Sequence, residues 1–169
     1  MRPYRESDRR QFLALNCDPL VRRYMNGELT RKAAGKKFNI VLKEQVANQG
    51  ACWAITKKTT PAYIGHAYME PSNLHPFHEL GFLFLKSFWG CGYGTETVLR
   101  LVRYYLDDAN FHGLSASVDC DNSKSIRLLE KTGFNRERVA VDNDGPFFIY
   151  SIRRKHGAKT AEELKAEGK

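Results

Sequence analysis

A nearly unbroken apolar run, Phe77–Leu85 (FHELGFLFL), leads into a turn with three glycines in five residues, Gly90-Cys91-Gly92-Tyr93-Gly94. That turn opens at once into a helical pattern from Thr95 to about Ala109, whose apolar stripe is Val98, Leu101, Val102, Tyr105 and Leu106. No other stretch restricts the fold as much. A strand with so little alternation after Glu79 reads as buried on both faces, so it calls for a sheet with a covering layer on each side.

The flanking segments supply those layers. A short strand, Met1–Tyr4, enters a helix from about Glu6, which Asn16-Cys17-Asp18-Pro19 breaks. A second helical stretch is expected from Pro19 to Tyr24, stopped by Asn26-Gly27. A long helix is expected from Thr30, its cap, to Asn48, with Ala34, Phe38, Val41, Leu42 and Val46 at helical spacing. The period then changes to strands at Ala51–Thr56 and Tyr63–Glu70. After the glycine turn and its helix come a strand at Gly113–Asp119 and a helix from Asn122 to Thr132. Asn122 is its N-cap and Gly133 its left-handed stop. Strands Phe134–Val141 and Gly145–Arg153 close the order. A meander followed by a strand–helix–strand–helix unit is a mixed α/β sheet with helices against its faces. Residues 1–154 make one domain. Residues 155–169 form a charged tail, where Thr160 to Glu163 fits a capping box.

The chain has 169 residues and no run near the ~18 apolar residues of a membrane span. Its N-terminus is charged and lacks the apolar stretch of a secretory signal. Cys17, Cys52, Cys91 and Cys120 lie far apart, without zinc spacing or a disulfide framework. A cytoplasmic protein with no metal and no membrane partner is expected. The net charge of +8 is concentrated in residues 1–50, with eleven Lys/Arg against five Asp/Glu. No basic stripe with interleaved aromatics accompanies it, so no nucleic-acid partner is expected. The excess reads as a solvated face or as long-range attraction of a polyanionic cofactor.

A strand, a glycine turn and a helix N-terminus together offer free N–H groups and partial positive charge, which suits a pyrophosphate. A dinucleotide-binding G-x-G-x-x-G would place its third glycine one residue later. A phosphate-binding loop ending in G-K-[ST] would need a lysine, which Gly94-Thr95 lacks. A tight turn without a ligand is the remaining reading of the turn alone.

A second motif lies about thirty residues on: Asn122-Ser-Lys-Ser125-Ile-Arg-Leu-Leu-Glu-Lys131-Thr-Gly133-Phe134. With the glycine loop, at this spacing, it resembles the GNAT family of N-acetyltransferases. The start, Arg2-Pro-Tyr-Arg-Glu-Ser-Asp8, and Glu79-Leu-Gly-Phe82 followed by Trp89 to Glu96 resemble the branch that acetylates N-terminal amines of ribosomal proteins. The resemblance covers roughly residues 1–153. It implies a single GNAT-like domain whose mostly antiparallel sheet is splayed at the cofactor site. It implies acetyl-coenzyme A (acetyl-CoA) as cofactor, its pantetheine arm along Leu83, Phe84 and Leu85. The loop Trp89, Gly90, Cys91, Gly92, Tyr93, Gly94 and Thr95 would take the pyrophosphate, and Asn122 would bond the arm. The acceptor is an amine, first a protein N-terminal α-amine and second a polyamine, amino sugar or antibiotic. A monomer or homodimer is expected.

The reaction is attack of a neutral amine on a thioester. A lysine amine (pKa ~10.4) needs more help to lose its proton than an α-amine (~7.7–8.0). Glu79, at the start of the strand that leads to the loop, is the candidate base. Many family members carry a Tyr proton donor where this chain has Leu129. Ser125, one turn earlier on the same helix face, is the substitute candidate. The missing Tyr also fits a coenzyme A-binding module without catalysis. An acyl-enzyme at Cys91 and a metal at His75, His78 and Glu79 are weaker readings. Trp53, Tyr63 and Tyr68 suit either the acceptor site or the core.

Overall fold

Alternation along the strands sorts the apolar residues into two layers. The computed structural model describes residues 1–46, 51–60, 62–109 and 111–154. Its elements are β1 (Arg2–Pro3), a 3-10 turn at Glu6–Asp8, α1 (Arg9–Asn16), α2 (Arg31–Val46), β2 (Ala51–Thr56), β3 (Tyr63–Glu70) and β4 (His78–Phe84). There follow α3 (Tyr93–Arg103), β5 (Gly113–Asp119), α4 (Ser123–Lys131), β6 (Asn135–Asp142) and β7 (Gly145–Arg153). Ala54 of β2 and Leu83 of β4 point to one side, where they meet Phe12 of α1 and Phe38 of α2. Ile55, Leu80 and Phe84 point to the other, against Val98 and Leu101 of α3 and Leu129 of α4. The helices therefore cover both faces, and each apolar layer is removed from water.

The sheet has the order β1-β2-β3-β4-β5-β7-β6. Every neighbouring pair is antiparallel except β4–β5. That parallel pair has only two register positions, His78 with Leu114 and Glu79 with Ser115. The mixed, mostly antiparallel sheet is as expected, and β2, β3, β5 and β7 keep the expected boundaries.

Three expectations need correction. Residues 19–24 form successive turns, not a helix. The Asp18 carboxylate accepts from the N–H groups of Leu20 and Val21, and Asn26 and Gly27 sit at φ 58° and 71°, so a short segment between two stops cannot propagate a helix. β4 is not buried on both faces: His78, Glu79, Gly81 and Phe82 are half-exposed, because its β5 flank is open beyond Glu79. The helix after the glycine loop starts at Tyr93 and loosens after Arg103 into a π turn, Tyr104–Asp108. The expected end of α2 at Asn48 and the tail 155–169 lie outside the described residues.

Candidate active site

β4 and β5 meet at a vertex and then part. The Ser115 hydroxyl, almost fully buried, sits between the carbonyls of Phe77 (3.1 Å) and His78 (3.2 Å) and staples the vertex. Past it, β5 keeps all seven of its rungs to β7 and β4 its rungs to β3, so the gap is a property of this one pair. The hydrogen bond from Leu85 N–H to the Ile64 carbonyl (2.9 Å) sets which residues of β4 face β3. By antiparallel alternation, Leu83 and Leu85 turn their backbone groups to β3. Leu80, Phe82 and Phe84 turn theirs to the gap. Of the three backbone positions expected to border a ligand, Phe84 alone does so, and its carbonyl already accepts the Trp89 indole N–H at 2.7 Å. Leu80 and Phe82 form the open edge.

The glycine loop stands at the wide end. Gly90 and Gly92 have φ of +74° and +83°, and a Cβ on either would meet nothing within 4 Å. These two are glycines for backbone conformation, and they leave the loop surface bare. Gly94 differs: a Cβ there would lie 2.5 Å from Leu128 Cδ1, so it is a packing glycine between α3 and α4. The first bond of α3 runs from Glu96 N–H to the Gly92 carbonyl, which leaves the N–H groups of Tyr93, Gly94 and Thr95 ahead of it. Trp89 braces the loop from below, and the Lys124 ammonium lies 5.2 Å from its ring, adding positive charge beside the helix N-terminus. Cys91 is exposed, with Sγ 3.6 Å from the Trp89 carbonyl.

A cleft open to solvent runs through the gap. It brings Glu79, Asn122 and Ser125 together, with Leu129 behind them. The Asn122 side-chain oxygen accepts from Ser125 N–H at 3.2 Å and caps α4. Glu79 accepts from the Ser72 hydroxyl at 3.2 Å and faces Glu70 across the β3–β4 ladder. Desolvation pushes the Glu70 carboxyl above its ordinary range, Lys37 opposes that, and Glu79 and Glu44 add to it.

The opposite mouth is lined by Tyr24, Met25 and Tyr68. Sequence reasoning missed Tyr24 and Met25; the Asn26-Gly27 stop was the one signal nearby. A buried guanidinium places them. Arg22 donates from Nε to the Gly27 carbonyl and from Nη2 to the Met25 carbonyl, both at 2.7 Å. Desolvation lowers its pKa. Of the three aromatics left between site and core, Tyr68 lines the cleft. Trp53 packs on Tyr105, and Tyr63 bonds the Tyr4 hydroxyl at 2.7 Å. His75 Nδ1 accepts from Phe77 N–H and its Nε2 meets Glu137 at 3.0 Å, while the His78 ring packs on Phe111.

Known proteins share this architecture. The sequence model of the family described as "Acetyltransferase (GNAT) domain" matches residues 1–135. YoaA of Bacillus subtilis, an N-acetyltransferase by name, is 27% identical over 177 residues, covering 90% of this chain and 97% of its own. A spermidine N-acetyltransferase from Vibrio cholerae, solved with CoA and spermine, superposes with a TM-score of 0.76 at 19% identity, over 90% of this chain and 94% of that one. A ribosomal-protein-S5-alanine acetyltransferase from Vibrio fischeri does so at 0.74 and 15%, over 94% of both. No helix among the described residues is long and apolar enough to cross a membrane.

Proposed function

The chain belongs to the GNAT family of N-acetyltransferases, whose donor is acetyl-CoA, and from that premise we propose that it acetylates a protein N-terminal α-amine. The observation that carries the donor site is the gap between β4 and β5. A thioester on an extended arm ending in phosphates suits an unpaired strand edge that runs into bare glycine N–H groups. The acetyl thioester supplies the activated acyl group. The backbone of Leu80, Phe82 and Phe84 would hold the arm, a correction to Leu83 and Leu85. The loop from Gly90 to Thr95 would hold the phosphates, and Asn122 would hold the arm from α4.

The two sides of the sheet divide the work. Tyr24, Met25, Tyr68 and Glu79 stand where an amine arrives. Asn122 and Ser125 stand on the α4 side, where the thiol departs. Glu79 takes the proton from the attacking amine, directly or through a water. Ser125 gives a hydrogen bond to the departing sulfur. That is enough for a leaving group whose thiol pKa is only ~8.5. A single base and no Tyr donor suit an α-amine, already about half neutral near pH 8, better than an isolated lysine amine. The Glu70–Glu79 pair favours a second reading, a small cationic amine. The same proposal puts the reaction in the cytoplasm.

The test is free-thiol release from acetyl-CoA against N-terminal peptides and small amines at pH 8. Release with peptides bearing a free α-amine, abolished by prior N-formylation, supports the first reading. Release with small amines alone selects the second.

A further inference from the structure

Lys37 of α2 is exposed, yet its ammonium lies 5.9 Å from the centroid of the Tyr68 ring. Tyr68 and Gly81 are partners across β3 and β4, and a Cβ at Gly81 would collide with the Tyr68 Cζ and Oη. The glycine therefore seats the ring flat at the cleft mouth. Two residues further along each strand, on the same face, stand Glu70 and Glu79, also direct partners. Glu44 of α2 and Lys37 both act on Glu70 electrostatically. An aromatic face beside two carboxylates attracts an ammonium, and the chain's own lysine is found there.

We propose that Tyr68, with Glu70, forms a cation seat in the acceptor site, beside the base Glu79. In the free protein Lys37 holds this seat, and the preferred acceptor carries a second cationic group a few bonds from its reacting amine. The seat rests on the acetyltransferase reading and deepens it. It applies to a small diamine and to a peptide whose second residue is basic. In both cases the incoming cation displaces Lys37, so the lysine competes with the substrate and lowers its apparent affinity.

The experiment uses the full chain and thiol release with two matched pairs: 1,4-diaminobutane against 4-amino-1-butanol, and Ala-Lys against Ala-Gln peptides. Within each pair only the second cation differs. The readout is the kcat/KM ratio of the cationic member to the neutral one. The wild type is expected to prefer the cationic member of at least one pair, and that pair identifies the source. Lys37→Gln raises the ratio about three- to ten-fold through KM. Tyr68→Leu brings it close to one, and Tyr68→Phe, which keeps the ring, retains it. An unchanged ratio in Lys37→Gln, or an equal loss for both members in Tyr68→Leu, overturns the seat. Calorimetric titration with coenzyme A separates the two failures: no binding and no release with any amine would break the underlying acetyltransferase reading instead.

Discussion

On the α3–α4 face of the gap, the groups presented to a ligand are mostly backbone: the bare amides of Gly90 to Thr95 and the open edge of Leu80 and Phe82. On the α1–α2 face they are side chains, Tyr24, Met25, Tyr68 and Glu79, drawn from a turn and two strands. Backbone can bind only what every ligand of the class shares, an extended arm and its phosphates. Side chains can be exchanged singly without disturbing the sheet. A fold divided this way can keep one donor and change acceptors.

If the division is real, each face fails in its own way. The largest effect belongs to Glu79→Gln, which is expected to lower kcat/KM about 100-fold or more while calorimetry finds the same coenzyme A affinity. A matched loss of affinity would place Glu79 on the donor side. Gly92→Val comes next. Its φ of +83° strains any branched residue and its Cβ shadows the bare amides, so coenzyme A affinity should fall roughly 100-fold, alongside about 1–3 kcal/mol of stability lost to the strained backbone. Gly94→Ala sharpens this by contrast. Its methyl enters Leu128, so urea titration should show about 1–3 kcal/mol lost from stability, with affinity moved far less.

The smallest predicted effect tests the acceptor face through pH. His66 is fully enclosed by Tyr4, Phe12 and Tyr68, and burial lowers its pKa to about 3. The unfolded chain binds that proton near pH 6.5, so the contribution is complete above pH 6.5 and is lost as pH falls toward 3. Urea unfolding at pH 5.5 should give about 1.4 kcal/mol less stability from this group than at pH 7.5. His66→Gln should remove that difference, and an unaltered difference in the variant would assign it elsewhere.

The same division decided what could be read from sequence. Asn122, Gly133 and the glycine loop are local signals, in which a cap, a left-handed stop or a positive φ is written within a few residues, and the structure puts each of them in that role. Tyr24 beside Tyr68 depends on Arg22 gripping two carbonyls of a turn that looked helical, and no periodicity encodes that contact. The parity of β4 was also hidden, because side-chain alternation tells which way Leu83 points but not which neighbour its amide faces. One hydrogen bond at Leu85 settles it. The loop glycines share a motif yet divide into bare amides and a packing contact, a difference visible only once Leu128 stands beside Gly94.

Two rungs and one serine hydroxyl are the hydrogen bonds described between β4 and β5, and beyond them the two halves of the sheet meet through side-chain packing under α3 and α4. A ligand lying in the gap would be mortar as well as reactant, since it bonds to both walls only when they are in place. Binding to the folded form alone protects it by mass action. In a cell that degrades loosened chains, the lifetime of this protein would then follow the supply of its donor. Starvation for the acyl donor would remove the enzyme as well as halt it.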